Sequence, residues 1–282
     1  MKEAFKNILA DFWGFGLPES QAREVSLPLN SGKIITVTGV RRCGKSHLMY
    51  EGMKQLLKLG VVQQQIIYVS FDDERIDCSA KELGAIIEAH LELNPTVDLT
   101  QCHLFFDEIQ NIEGWETFVR RIYDRVSKNI YLTGSNSKML SRELSTSLRG
   151  RSINLELHPL SWSEYGQFVG APLQTSGVHQ TTQRELLFER FFSQGGFPEL
   201  IFLDQRFHRK TLSEYVDVMI FQDLIERYQV KNTAYLKFLM KQMMQNHGSP
   251  FSVHKAFNNI KSQGYKVSKD TIYSLMEQLQ DI

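Results

Sequence analysis

Strand-like runs rich in β-branched and aromatic residues alternate with helix-spaced apolar stripes through the first half of this sequence, and no other feature narrows the fold so far. "KIITVTG" from Lys33 reads as a buried strand ending in glycine, followed by a helix from Lys45 to Leu59 that stops at Gly60. "IIYVSF" from Ile66, "HLFFDE" from His103, "NIYLTG" from Asn129 and "SINLEL" from Ser152 continue the series. Between them lie helical stretches at Ala80 to Leu93, Trp115 to Val126 and Lys138 to Leu148. Strands alternating with helices need right-handed crossovers and form a parallel sheet covered on both faces. The expectation is an α/β domain closing near Pro159, opened by a helix whose Phe5, Ile8, Leu9 and Phe12 share one face.

Beyond Leu160 the strand signals fade and a helical pattern punctuated by Gly166, Gly170, Gly195, Gly196 and Pro198 takes over. Three parts are expected: residues 1–160, a helical subdomain over 161–231, and a third part over 232–282. In the last part "NTAYLKFLMKQMMQNHG" predicts a helix closed by Gly248, and two short helices follow around a turn holding Gly264, like a helix-turn-helix. Ser268 is placed to cap the second, with Asp270 early in that helix where its dipole favours negative charge.

Lys plus Arg equals Asp plus Glu at 32 each, so overall charge offers no pull toward nucleic acid or membrane, and any basic patch is local. Cys43, Cys78 and Cys102 show neither CxxC pairing nor zinc spacing, as expected of free thiols in a reducing cytoplasm. No stretch approaches the ~20 apolar residues of a membrane span, and "MKEAFKNILADF" is too charged for a signal peptide. A cytoplasmic, ordinarily composed globular protein is expected.

The chemistry-bearing motif is Gly39-x-x-x-x-Gly44-Lys45-Ser46, the full P-loop pattern. Glycines let backbone N–H groups face phosphate oxygens, the lysine brings a cation to the terminal phosphates, and the serine hydroxyl can ligate Mg²⁺. The motif sits between a predicted strand and a helix N-terminus, which itself attracts anions. Arg41, Arg42, Cys43 and His47 complete the candidate cradle, although the arginines can equally face solvent. Cys43 has two readings, a small filler or a redox brake activated by the helix N-terminus.

Hydrolysis needs more than a cradle: a carboxylate for the metal and a base for the attacking water. Asp107 and Glu108 emerge at the carboxyl end of "HLFFDE", where open parallel sheets bind ligands. Asp107 fits the magnesium role and Glu108 the base. "YLTGSNS" ends the fourth strand with Thr133, Ser135 and Asn136, of which Ser135 or Asn136 is expected to orient the water, unless the segment is merely a polar turn. Arg149 and Arg151 in "SLRGRS" are either arginines presented to a neighbouring subunit's γ-phosphate, Arg151 foremost, or partners of surface carboxylates. Trp115 lies on a helical stripe and reads as core, and "QGGFPEL" from Gln194 suggests a glycine hinge.

Taken together, "TGVRRCGKS", "LFFDEIQNIEGWETFVRRIYD", "YLTGSNS", "LRGRSINLELHPLSWSEY", "GGFPEL" and "DLIERYQVKN" resemble the bacterial and archaeal predicted ATPases of the AAA+ superfamily. The resemblance implies a P-loop NTPase domain with a five-stranded parallel sheet in the order 5-1-4-3-2, an all-α lid and a winged helix. It implies ATP with Mg²⁺ as cofactors, Lys45 and Ser46 on phosphate and metal, Asp107 on metal, Glu108 on water, and Arg151 where many relatives present an interface arginine. Members of this family usually carry a wing hairpin and a further C-terminal domain, whereas this sequence stops at "LMEQLQDI".

The function expected is ATP hydrolysis to ADP and phosphate, coupled to movement of the lid and winged helix. The competing readings are a low-turnover nucleotide switch or a DNA- or protein-binding regulatory module, and a phosphotransfer kinase, for which no acceptor motif is visible. Expected partners are ATP and ADP, DNA or a protein at the winged helix, and other copies of the chain through ATP-dependent self-association, with no membrane. Lys255, Lys261, Lys266 and Lys269 against Asp270, Glu277 and Asp281 make that last part only weakly basic.

Overall fold

The computed structural model describes residues 1–134, 150–171, 178–226 and 233–279. The helix expected at Lys138 to Leu148, with Ser135, Asn136 and Arg149, lies outside the described residues, as does the expected boundary at residue 231. The chain divides into two compact units, Met1–His208 and Arg209–Ile282.

The first unit is built on a wholly parallel sheet of five strands: β1 (Ile34–Thr38), β2 (Ile66–Ser70), β3 (His103–Asp107), β4 (Asn129–Gly134) and β5 (Ser152–Glu156). Their spatial order is β2-β3-β4-β1-β5, the expected 5-1-4-3-2 read from the other edge. Register is fixed by pairs such as Thr36 with Leu132 and Asn154, and Phe105 with Tyr68 and Tyr131.

Successive side chains of a strand point to opposite faces, and both faces are covered over β1 to β4, which explains their continuous apolar runs, while β5 at the edge stays largely exposed. Ile67, Val69, Leu104, Phe106, Ile130 and Leu132 pack on one face beneath α1 (Lys2–Phe15), α3 (Ala85–Leu93) and α4 (Trp115–Arg125). Ile35, Val37, Phe105 and Tyr131 pack on the other beneath α2 (Lys45–Lys58), through Leu48, Met49, Met53 and Leu56. Trp115 is buried in the first of these layers, the core reading of that residue. α3 begins five residues later than the pattern suggests: the Glu82 carboxylate accepts from the Ser79 N–H and hydroxyl, and only a short 3-10 turn, Glu82–Gly84, forms before Ala85.

After β5 come α5 (Trp162–Phe168), α6 (Val178–Gln194) and α7 (Pro198–Phe202), and α8 spans Gln205–Val218. The second unit continues with a π-helical stretch, Met219–Glu226, and the helices α9 (Thr233–Gln245), α10 (Val253–Ser262) and α11 (Lys269–Leu279). It has its own core of Ile220, Leu224, Leu236, Leu239, Ile260, Ile272 and Leu275. The turn between α10 and α11 passes through Gly264 at φ +86°, and the Ser268 hydroxyl accepts from the Thr271 N–H at 3.1 Å as the capping signal predicts. Among the described residues no helix is long and apolar enough to cross a membrane.

Candidate functional site

β1 lies between β4 and β5 with all five residues buried, so the loop that leaves its carboxyl end starts from a rigid point. At Gly39 the backbone has φ +151°, and a Cβ there would lie 2.1 Å from the Leu157 carbonyl oxygen. Only glycine fits that position. Arg42 is left-handed at φ +64°, and Gly44, at φ +102°, is the N-cap of α2. That cap contributes no side-chain hydrogen bond, so the first N–H groups of a 14-residue helix are left facing the loop, the arrangement that binds anions.

Lys45 opens the helix and is buried; its Nζ donates to the carbonyls of Gly39 (3.1 Å) and Val40 (3.3 Å) and lies 3.3 Å from Glu108 Oε1. Asp107 closes β3, also buried. Its Oδ2 accepts from the Tyr68 hydroxyl at 3.0 Å, its Oδ1 accepts from the Thr133 hydroxyl, and Ser46 also bonds it. Burial, and then the nearby Glu108 charge, lift the Asp107 pKa above the usual carboxylate range against the opposing hydrogen bonds from Ser46, Thr133 and Tyr68. Glu108 is a non-glycine residue at φ +51°, its N–H donates to Thr133 Oγ1 at 2.9 Å, and Gln110 Nε2 donates to its carboxylate. Left-handed backbone at such a residue is a mark of functional sites.

The loop, Lys45, Ser46, Asp107 and Glu108 therefore converge at the carboxyl ends of β1 and β3. A cavity of about 820 Å³ opens beside them, lined among others by Arg23, Arg42, His47, Phe168 and Phe202. Cys43 is wholly buried, and burial raises its thiol pKa, which favours the filler reading over a reactive thiolate. The Arg42 guanidinium pairs with Glu199 at 2.8 Å, and His47, whose pKa burial lowers, packs edge-on to Tyr50.

Arg151 precedes β5, at the opposite end of the sheet from the loop, 3.4 Å from Asp124 and over the Tyr123 ring. It is therefore remote from this chain's own phosphate loop. Ser135 and Asn136 are outside the described residues.

One functional residue, Arg23, escaped the sequence reading, and two were named without the role they take. Thr133, at the tip of the strand between β1 and β3, joins Asp107 to Glu108 through its single hydroxyl, whereas the polar role at this tip was expected of Ser135 or Asn136. "GGFPEL" acts by close packing. A Cβ at Gly196 would lie 2.4 Å from the Leu160 carbonyl oxygen, Pro198 approaches Gly44, and Glu199 holds Arg42. Arg23, a lone arginine in an irregular segment, reaches the loop carbonyl of Cys43, and no pattern in the sequence marks it.

The donor set fits magnesium: Ser46 and Asp107 offer hard oxygen ligands, and among the described residues no three His, Cys, Asp or Glu side chains converge as a protein-only metal cage. Magnesium is commonly held in this way, through one or two protein oxygens together with substrate phosphates.

Residues 31–166 match the family AAA_14, described as an AAA domain. Among curated proteins, the chain is 33% identical to an uncharacterized protein of Methanocaldococcus jannaschii, over 92% of this chain and 57% of that protein. It is 27% identical to an uncharacterized protein of Haemophilus influenzae, over 88% of this chain and 60% of that one. The chain thus spans less than two thirds of the length of either relative. Among solved structures it is similar to AMPPCP-bound DnaA from Aquifex aeolicus, with TM-score 0.40 and 15% identity over 90% of this chain and 83% of that one. It is also similar to PCH-2 of C. elegans, with TM-score 0.33 and 16% identity over 50% and 39%. Neither value adds to what the sheet order already shows. With its P-loop at the end of β1, its β2-β3-β4-β1-β5 sheet and the match over residues 31–166, this part of the chain is an AAA-type NTPase domain of the AAA+ superfamily.

Proposed function

We propose that the chain binds ATP with Mg²⁺ at the carboxyl ends of β1 and β3 and hydrolyses it to ADP and phosphate. The observation that carries this reading is the convergence of Lys45 and Ser46 with Asp107 and Glu108, the two acidic residues joined by the Thr133 hydroxyl. Lys45 neutralises the terminal phosphates and the N–H groups around Gly44 hold their oxygens. Ser46 and Asp107 hold the metal, which when bound supplies charge neutralisation on the phosphate oxygens. Glu108 takes the proton of the attacking water, oriented in this proposal by Ser135 or Asn136. Arg42 and His47 line the cavity beside Lys45 and Glu108.

Phosphate release by wild type, Lys45→Ala and Glu108→Gln tests the assignment. Glu108→Gln should bind ATP and turn over at least ~100-fold more slowly, as general-base losses run. Wild-type turnover in that variant removes Glu108 as the base, and wild-type ATP affinity in Lys45→Ala removes the cradle.

A second reading, a slow nucleotide switch, draws support from the engagement of the Glu108 carboxylate by Lys45 and Gln110, because a base so held is not free to accept a proton. The same assay separates the two: tight ATP binding with wild-type turnover no faster than that of Glu108→Gln favours the switch.

Coupling to the lid and to a winged-helix output, and an action of Arg151 on a neighbouring copy, belong to this proposal as well. Gel filtration with and without ATP and Mg²⁺ tests the latter. For DNA at the second unit, a fall in affinity with rising salt is the expected signature.

A further inference from the structure

Arg23 and Glu164 form an ion pair whose side chains are only 6% and 5% exposed. Arg23 comes from the irregular segment between α1 and β1, and Glu164 from the first turn of α5. The pair is bidentate, Nε to Oε1 at 2.7 Å and Nη2 to Oε2 at 2.9 Å. Glu164 accepts further from the N–H of Glu24 at 2.9 Å and of Ser161 at 3.0 Å. Arg23 donates its remaining bonds to two carbonyls, His158 just after β5 and Cys43 inside the phosphate loop, each at 2.9 Å.

Stability does not explain such a pair. Desolvating two charges costs about as much as their attraction returns, and well-packed apolar replacements are often neutral or better. What an apolar pair cannot do is hold the Cys43 carbonyl. Among the described residues no peptide bond is cis, so the carbonyl of Cys43 and the N–H of Gly44 point in opposite directions across one rigid plane. A fork fixed by Glu164 that captures the carbonyl therefore turns the Gly44 N–H away from Arg23. A charged donor on the carbonyl also polarises the peptide and strengthens that N–H as a donor.

We propose that Arg23, locked by Glu164, is a positioning residue that sets the Cys43–Gly44 peptide plane and so presets the loop to grip phosphate. This rests on the reading of the loop as an ATP site. It also gives α5 a mechanical link to nucleotide affinity, since Glu164 belongs to that helix.

The test measures ATP affinity by calorimetry on the full chain, with thermal melting in the absence of nucleotide beside it. Arg23→Lys keeps the charge but loses the fork, and Glu164→Gln keeps the shape but loses the lock. Each should weaken ATP binding about 10- to 100-fold, the worth of a hydrogen bond to a charged group, and the double variant should be no worse than the weaker-binding single. Arg23→Met combined with Glu164→Leu removes both charges without leaving either unpaired; it should melt near wild type yet show the same loss.

Wild-type affinity in Arg23→Lys would show that charge alone suffices and overturn the proposal. So would wild-type affinity in the apolar double variant, which guards against a loss caused only by misfolding of the singles. Lys45→Ala serves as the separate control. If it too binds ATP like wild type, the ATP site itself fails, whereas weak binding there with wild-type binding in the Arg23 variants sinks only the positioning role.

Discussion

A series of glycine-to-alanine substitutions separates backbone strain from steric exclusion in the phosphate loop. Gly39, Gly44 and Gly60 all have positive φ, at +151°, +102° and +91°. Each alanine therefore carries a strain of roughly 1–2 kcal/mol. Their surroundings differ. Nothing lies within 4 Å of a Cβ at Gly60; at Gly44 the nearest atoms are the Arg23 guanidinium at 3.6 Å and Pro198 at 3.9 Å; at Gly39 the Leu157 carbonyl oxygen is at 2.1 Å. Real Cβ contacts do not fall below 3.0 Å, so Gly39→Ala must push the loop and the exit of β5 apart by about 1 Å. Backbone cannot rotate out of the way as a long side chain can, because Leu157 N–H is bonded to the Thr38 carbonyl at 2.7 Å. A displacement of that size in a preorganised site costs on the order of 100-fold. Fluorescent ATP titration should then show Gly39→Ala weakened ~100-fold and Gly44→Ala up to ~10-fold, the latter being the share of strain that binding feels. Gly60→Ala should bind like wild type and lose only ~2–8 °C in melting temperature. If Gly39→Ala binds ATP as Gly60→Ala does, the carbonyl contact does not shape the loop and the argument fails.

Thr133→Val keeps the volume but removes the hydroxyl that joins Asp107 to the Glu108 N–H, so turnover should fall at least ~10-fold with ATP affinity nearly unchanged; an equal loss in both would make Thr133 a binding residue instead. His90 and His103 are buried, and burial pushes both down from 6.5 to about 4. Because the unfolded chain takes up these protons first, stability should decline as pH falls from 6.5 toward 4, by up to ~3 kcal/mol for each. Urea midpoints at pH 7.5, 5.5 and 4.5 measure it, and a midpoint unchanged across that range would contradict the burial. Cys43 and Cys102 are buried while Cys78 is half-exposed, so a thiol reagent should label Cys78 first and the others only in denaturant. Prompt modification of Cys43 in the native chain would revive the redox reading.

The sheet was legible because its signals are local and redundant. The runs at Ile34, Ile66, His103, Asn129 and Ser152 are each punctuated by glycine or a helical stripe, and a parallel sheet with both faces covered follows from that alternation. The strand order came only through resemblance, since spacing does not say which parallel strands are neighbours. Gly39, Gly44, Lys45, Ser46, Asp107 and Glu108 were legible because their chemistry is bound to their residue types. The roles of Arg23, Gly196 and Thr133 were not, for a common reason. Each acts through a contact distant in sequence: Arg23 on Cys43 and Glu164, Gly196 on Leu160, Thr133 on Asp107 and Glu108. An arginine in "SQAREVS" looks like any surface cation until the fold folds it inward. Ser161 and Glu164 form a capping box at the start of α5, and an S-x-x-E spacing says nothing of the arginine that the same carboxylate also holds.

The position of β4 explains why one hydroxyl can organise the two acidic residues. β4 lies between β3 and β1 in the sheet, so the residue at its tip stands between the end of the acidic strand and the start of the phosphate loop. A hydroxyl has one proton to give and lone pairs to receive. Thr133 gives its proton to Asp107 and receives the N–H of Glu108. That second bond falls on the residue with left-handed backbone, whose strain of about 1–3 kcal/mol persists only where its surroundings over-determine it. The Glu108 side chain is thereby turned toward Lys45 rather than continuing the strand's alternation. A strand inserted between two others thus does more than complete a sheet: it sets the distance between a loop that holds phosphate and a carboxylate that can act on it. A non-polar residue at its tip would leave both ends intact and uncoordinated.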